Sequence, residues 1–498
     1  MNTTNGVDAA TLFSESGLTY DDFVLLPGYI KSGLGEISLE TRLTRQLSLK
    51  IPVVSSPMDT VTESRMAIRI ALLGGIGIIH YNNTIEEQAE EVRKTKRFEN
   101  GFIMDPVVLS PKHRIGDVRD IKRRYGFSGI PITQDGEAGG KLVGIVTSRD
   151  IDFERDNNKL LEDVMTTDLV TARAGIGLAE GNRILHESKK GKLPVVDENG
   201  NLVCLMSRTD LRKNQDFPLA SKDEGKQLLV GAAAGTRDED RDRLDALVEA
   251  GADVVVFDSA QGYSVYQVEM IKWAKQRYPD LPVIGGNVVT GDQCDGLIAA
   301  GADGLRVGMG SGSICITQET VAVGRSQASA VYYSAHAAAK HGVPVIADGG
   351  VRNSGDVPKA LAAGADSVML GSVLAGTEES PGEKIIHQGR QYVVYRGMGS
   401  LAALREAEGS RQRYAQDGIR AEELVPQGIE GIVPYAGTVK KVMNQFCGGL
   451  CSAMGYCGCR NIAALQEHAR FIRVSLAGLR EGHPHDVKIM KDAPNYRS

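Results

Sequence analysis

The sequence predicts an α/β fold, a (β/α)₈ TIM barrel carrying an inserted domain, on three observations. The first is a repeated phrase. Ala250-Gly-Ala-Asp253, Ala300-Gly-Ala-Asp303 and Ala363-Gly-Ala-Asp366 each precede a short apolar run. Each copy reads as a helix end, a glycine C-cap and a buried strand. The second is that the intervals between copies are too long for one βα unit. Each holds one more apolar run, Pro282–Val289 and Pro344–Val351. The third is that the same search yields eight strand candidates: 51–58, 75–80, 228–235, 253–260, 282–289, 304–310, 344–351 and 367–374. All are short and rich in Val, Ile, Leu, Gly or Ala, as strands of a parallel sheet covered on both faces must be. Eight such strands alternating with helical stretches point to a barrel. Periodicity alone leaves a doubly wound open sheet as the alternative.

The gap between the second and third candidates is about 150 residues, far beyond a βα connection. It contains its own repeat. Met104-Asp-Pro106 opens one unit and Gly144-Ile-Val-Thr-Ser-Arg-Asp-Ile151 closes it; Met165-Thr-Thr167 opens the next and Leu205-Met-Ser-Arg-Thr-Asp-Leu211 closes it. The expected organisation is therefore 1–94 as the first part of the barrel, 95–215 as a tandem insert, and 216–498 as the second part. The insert resembles a pair of cystathionine-β-synthase-type (CBS) repeats. That resemblance implies a purine nucleotide ligand, with Thr147–Asp150 and Ser207–Asp210 at the turns that hold its ribose. The alternative is that these aspartates only cap helices.

Composition narrows the class. Of 498 residues, 42% are hydrophobic and 24% charged, with a net charge of −6 and no basic block. This is ordinary globular usage and disfavours nucleic acid as the main partner. The polar segment Met1–Ala10 lacks the apolar core of a secretory signal. The longest apolar run, Ala71–Ile79, is too short for a membrane span. Seven cysteines, unevenly placed, read as reduced thiols of a cytoplasmic protein.

Barrel enzymes carry their chemistry on the loops after the strands. Here the strand ends read Ser55-Ser-Pro-Met58, Asp258-Ser-Ala-Gln261, Gly286-Asn-Val288, Gly308-Met-Gly-Ser-Gly-Ser-Ile-Cys315, Asp348-Gly-Gly350 and Gly371-Ser372. The turns after the seventh and eighth strands suit a phosphate, because glycine lets backbone N–H groups approach an anion and Ser372 adds a hydroxyl. Ordinary turn glycines are the alternative. The sixth loop is the sharpest signal. Alternating glycines at 308, 310 and 312 lead to Cys315, followed by Thr317 and Glu319. A thiol on such a loop is placed to attack a substrate once it is a thiolate. His80 lines the cleft or serves the structure. Cys447, Cys451, Cys457 and Cys459 lack zinc-ribbon spacing and read as free thiols on a helix and the turn after it, with a zinc site or redox pair as the alternative.

The sixth loop, together with Leu18-Thr-Tyr-Asp-Asp-Phe23, Ser55-Ser-Pro-Met-Asp-Thr60, Gly285-Gly-Asn-Val-Val-Thr290, Ala347-Asp-Gly-Gly350, Tyr395-Arg-Gly-Met-Gly-Ser400, Pro484-His-Asp-Val487 and Ala493-Pro-Asn-Tyr496, resembles the IMP dehydrogenase family. The resemblance runs over essentially the whole chain. It implies oxidation of IMP to XMP by NAD⁺ through a covalent Cys315 adduct. It implies IMP contacts at Ser56, Met58, Ser313, Asp348, Gly349, Gly350, Gly371, Ser372, Tyr395, Gly397, Met398, Gly399 and Gln427. It implies NAD contacts at Asp258, Ser259, Asn287, Gly308 and Gly310. The chain has no G-x-G-x-x-G between a strand and a helix, so the expected NAD site is an extended cleft.

The segment at about 380–440 resembles the family's mobile flap, with Arg413-Tyr414 as the pair that activates water. For Arg413 to act as a base it needs burial beside Tyr414 and no paired carboxylate, because a free guanidinium is too basic. Some members carry Glu where this chain has Gln427, and that Glu relays a proton through Thr317; Gln cannot accept it. The resemblance further implies K⁺ held by carbonyls of Gly310, Gly312 and Cys315, and by Glu481, Gly482 and His483 of a neighbouring subunit. It implies a homotetramer, which in some members pairs into an octamer. GMP reductase shares the barrel and the cysteine but has no hydrolytic step, and the Arg413-Tyr414 flap favours the dehydrogenase. A nucleotide-sensing protein with an idle barrel is the rival of another class, and the intact Cys315 loop disfavours it.

Overall fold

The computed structural model describes residues 7–14, 17–31, 33–98, 102–103, 106–125, 129–176, 178–207 and 217–490. Contacts divide the chain into two compact units. One comprises 1–96, 219–221 and 229–498; the other comprises 97–218 and 222–228.

The first unit is built on a closed, all-parallel barrel of eight strands. They are β1 (Val53–Ser55), β2 (Ile76–Ile79), β3 (Val230–Ala234), β4 (Val254–Asp258), β5 (Val283–Val288), β6 (Gly304–Val307), β7 (Val345–Asp348) and β8 (Ser367–Leu370). They follow one another around the ring, and β8 closes onto β1. All eight expected strands are present and the open sheet is excluded. The strands are shorter than the apolar runs. In the 304–310 run the chain leaves the sheet at Gly308, whose φ of 148° only glycine adopts readily. In the 367–374 run the apolar stretch continues into a short helix, Ser372–Ala375.

The repeated Ala-Gly-Ala-Asp phrase has a mechanical role. Gly251, Gly301 and Gly364 each take a positive φ, at 91°, 115° and 115°, and so turn the helix end into the next strand. The following aspartate then reaches sideways. Asp253 accepts from Val230 N–H at 2.8 Å, Asp303 from Val283 N–H at 3.1 Å and Asp366 from Val345 N–H at 2.9 Å. Its own N–H donates back to the carbonyl of the same residue at 2.9, 2.7 and 2.9 Å. Each aspartate thus pins the start of its strand to the start of the preceding one and fixes the parallel register. Burial raises the Asp366 carboxyl to about 6 despite that bond.

After β8 the expected flap region forms an antiparallel sheet of β9 (Lys384–His387), β10 (Arg390–Arg396) and β11 (Glu430–Pro434). Short helices Leu401–Glu406 and Glu408–Arg413 lie between β10 and β11. Arg396 ties the root of this region to the first barrel loop through Asp59, at 2.9 Å.

The second unit contains a four-stranded sheet and a two-stranded sheet, the latter pairing Ile130–Thr133 with Leu142–Val146. It has two separate apolar clusters, one around Ile130, Ile132 and Val146, the other around Leu193, Val195 and Met206. Thr147 and Asp150 form a capping box on helix Ser148–Ile151: Asp150 accepts from Thr147 Oγ1 at 2.7 Å and from Thr166 Oγ1 at 3.1 Å. The matching Asp210, with Met104, Asp105, Arg208, Thr209 and Leu211, lies outside the described residues. So does the terminal motif Ala493–Tyr496.

Candidate active site

The loops at the carboxyl ends of the strands enclose a cavity of about 430 Å³. It brings together Ser56, Met58, Asn287, Gly308, Gly310, Gly312, Ser313, Cys315, Thr317, Asp348, Gly349, Gly350, Gly371, Ser372, Tyr395, Gly397, Met398, Arg413, Tyr414 and Gln427. These residues span more than 370 positions of sequence: the barrel strands present their ends to one face, and the segment after β8 adds Tyr395, Gly397, Met398, Arg413, Tyr414 and Gln427.

Cys315 is half-buried, and its Sγ lies 3.1 Å from Thr317 Oγ1. The loop turns tightly, with Cys315 N–H donating to Gly312 O at 3.0 Å. It also pairs with the flap root. Ile316 N–H donates to Gln427 O and Ile429 N–H to Ile314 O, each at 3.0 Å. Cys315 therefore faces Gly428 at a non-hydrogen-bonded position, and its carbonyl points away from the flap strand. The glycines allow close approach. A Cβ on Gly308 would fall 2.0 Å from Asp348 O, and one on Gly399 would fall 2.6 Å from the Tyr414 ring. Gly371 faces the Tyr395 hydroxyl. The buried Tyr395 phenol is held well above its ordinary range by burial, which keeps it a neutral donor.

Arg413 and Tyr414 lie on the flap beside the cavity. Burial raises the Tyr414 phenol, opposed by the neighbouring Arg413 charge. Of the two conditions that Arg413 needs to act as a base, burial is met: its side chain is 9% exposed. The second is not. Arg413 is ion-paired with Asp258, whose carboxylate is fully buried. The cause is tertiary: Ala260 N–H donates to Arg413 O at 3.0 Å, which seats the flap on the loop after β4. Asp258 thus lies beneath the cavity rather than on its wall. Ser259 is also buried, its backbone tied to Gly286 O and Asn287 N–H at 3.2 and 2.8 Å. Gly399 packs behind Tyr414. Glu481, Gly482 and His483 are exposed at the far end of the chain, away from the cavity residues.

Sequence reasoning missed Arg306 and Gln327. Arg306 bonds both Asp258 and Asp348, at 2.6 and 2.9 Å. Gln327 donates to Val307 O at 2.9 Å and accepts from Ser311 Oγ at 2.9 Å, so it braces the cysteine loop. The signal for Arg306 was a charge inside the apolar strand Gly304-Leu-Arg-Val307.

The other cysteines are free thiols as well. Cys447, Cys451 and Cys457 lie on helix Val439–Cys457, and Cys459 follows its glycine cap. Burial pushes Cys447 up to about 12 and Cys457 to about 11, which makes them poor nucleophiles. Among the described residues no three His, Cys, Asp or Glu side chains are arranged to hold a metal ion. His80 is buried, accepts from Asn82 N–H at 3.1 Å and sits 3.5 Å from Glu63, outside the cavity.

A closed (β/α)₈ barrel with a half-buried thiol on its sixth loop, beside a cavity walled by the loops at the carboxyl ends of its strands, defines the class: a barrel protein with its site on the carboxyl face. The model of the IMP dehydrogenase / GMP reductase domain matches residues 17–485, and the chain belongs to that family. An inosine-5′-monophosphate dehydrogenase of Schizosaccharomyces pombe is 53% identical over 482 residues, 94% of this chain and 91% of that protein. One from Toxoplasma gondii is 56% identical over 425 residues, 85% of this chain and 77% of that protein. A crystal structure of a Trypanosoma brucei GMP reductase variant with guanosine 5′-monophosphate superposes with a TM-score of 0.85. It is 37% identical to this chain, and the match covers 96% of this chain and 99% of that one.

Proposed function

We propose that the chain is an NAD-dependent IMP dehydrogenase, catalysing IMP + NAD⁺ + H₂O → XMP + NADH + H⁺. The observation that carries this reading is the half-buried Cys315 thiol facing a cavity that also contains Arg413 and Tyr414. A purine nucleotide would lie with its phosphate on the turns Asp348–Gly350 and Gly371–Ser372 and its ribose toward Asp348. Cys315, as thiolate, adds to C2 of the base. Loss of hydride from C2 leaves a thioimidate on Cys315, and water then adds at C2 and expels the thiolate. Two easier steps replace one hard substitution.

NAD⁺ supplies the hydride acceptor. The residues fit it: Asn287 Oδ1 is buried at the cavity without a hydrogen-bond partner, and Asp258 offers a buried carboxylate beneath it. Arg413 occupies that carboxylate here, so flap and cofactor take turns at Asp258. That ion pair engages the guanidinium. Arg413 can take the proton of water only after that pair breaks. Gln427 lines the cavity and accepts no proton, so it offers no second route through Thr317. The test is direct: incubation with IMP and NAD⁺ should raise the NADH absorbance, whereas a GMP reductase would instead consume NADPH with GMP.

Potassium fits the sixth loop, because the Cys315 carbonyl is turned away from the flap ladder and carbonyl oxygens suit hard cations. Adding K⁺ should raise the rate, and equal rates in K⁺-free buffer would count against the site. The full cation site, with Glu481, Gly482 and His483 of a neighbour, belongs to a homotetramer, readable by light scattering. The insert is proposed as a CBS pair that binds a purine nucleotide. Removing about 95–215 should leave catalysis in place while nucleotide effects on rate vanish. A folded deletion variant that binds substrate but shows no turnover would refute this modular reading. No described helix is long and apolar enough to cross a membrane.

A further inference from the structure

The barrel interior carries a charge that its own repeat does not call for. Three residues after the aspartates of the repeated phrase stand Val256, Arg306 and Met369. Val256 and Met369 belong to the apolar cluster that fills the barrel. Arg306 holds the same step of β6, and its side chain is only 3% exposed. A guanidinium taken this far out of water is tolerated only when paired and fully hydrogen-bonded.

It is paired twice. Nη1 donates to Asp258 Oδ1 at 2.6 Å, and Nε donates to Asp348 Oδ2 at 2.9 Å. The same Asp348 oxygen accepts from Asn287 Nδ2 at 2.9 Å, and the other oxygen of Asp258 faces Arg413. One rigid, planar fork therefore joins two carboxylates that end different strands, β4 and β7. On the proposed function these two serve different ligands: Asp258 faces the NAD side, Asp348 the nucleotide ribose. They would repel without the cation between them. When Arg413 lifts from Asp258, Arg306 stays bonded to this carboxylate and keeps it aimed.

We propose that Arg306 is a positioning residue that couples the two subsites, so that whatever binds one carboxylate sets how firmly the other is held. The proposal rests on the IMP dehydrogenase reading. A bidentate guanidinium is suited to this, whereas lysine's single ammonium cannot span both acids in a fixed geometry.

The test is a double-mutant cycle on the KM for NAD⁺, run on the full chain. In the otherwise unaltered enzyme, Asp348→Asn should raise the KM for NAD⁺ about tenfold, although Asp348 lies on the nucleotide side. In an Arg306→Gln background the same change should add less than about twofold. Arg306→Lys keeps a charge in the barrel and supplies the comparison should the glutamine variant not fold. It too should reduce the effect of Asp348→Asn to below about threefold. Thermal unfolding and IMP protection of Cys315 against alkylation check that the variants are folded and bind nucleotide. If Asp348→Asn changes the KM for NAD⁺ by the same factor with or without Arg306, the coupling does not run through this residue and the proposal falls. If the unaltered enzyme makes no NADH from IMP, the reading of the site falls first and takes the proposal with it.

Discussion

Replacing Cys315 with Ala abolishes NADH formation from IMP and NAD⁺, by at least about a thousandfold, the scale seen when a covalent nucleophile is removed. IMP affinity, measured by equilibrium binding, should change little. The groups expected to hold the nucleotide, Asp348, Gly350, Gly371 and Ser372, sit on other strands and do not depend on the thiol. The substitution leaves a small void in a loop braced by Gln327 and by the flap root, so the fold should survive. Appreciable turnover by the variant would end the assignment of Cys315. Loss of IMP binding together with turnover would show that the loop had collapsed, and Cys315→Ser would then be the variant to read.

The second large effect separates the two halves of the reaction. Arg413→Ala should spare hydride transfer and stall hydrolysis. The first NADH should appear as a burst of about one per active site, followed by a phase slower by at least about a hundredfold. Intact-protein mass spectrometry should find the purine adduct on Cys315. The pairing of Arg413 with Asp258 sharpens this expectation. Without the guanidinium, Asp258 keeps only Arg306 and is freed for the cofactor, so the KM for NAD⁺ should fall or hold steady rather than rise. A lost burst would mean that Arg413 acts before hydride leaves. Unimpaired steady turnover would mean that another group activates the water.

The barrel was legible because its strands are buried on both faces and its repeat marks three of the eight starts. The boundaries were not legible, since apolar runs such as 304–310 and 367–374 cross from strand into loop or helix without a change of pattern. The cavity wall was legible at glycines, where backbone must come close, and at Cys315, where a thiol interrupts a flexible loop. What escaped was pairing across the fold. Asp258 and Arg413 are 155 positions apart and nothing local links them. Arg306 escaped because an arginine in a strand reads as exposed until the barrel closes around it. The aspartates of the repeated phrase carried no signal of their role: they reach across to the previous strand, which only the folded sheet brings within range.

The two-rung seam between the thiol loop and the flap root has a mechanical consequence. Ile314 and Ile316 are bonded to Ile429 and Gln427, and Gln427 and Gly428 are bonded in turn to Gly399. The chain between Gly399 and Gln427 is thereby an arm anchored at both ends beside the Cys315 loop, with Arg413 near its middle. An arm anchored there cannot drift along the sheet, because a slip of one residue would break both rungs together. On the proposed function, this anchoring returns Arg413 to Asp258 at each closure, with Cys315 as the fixed point.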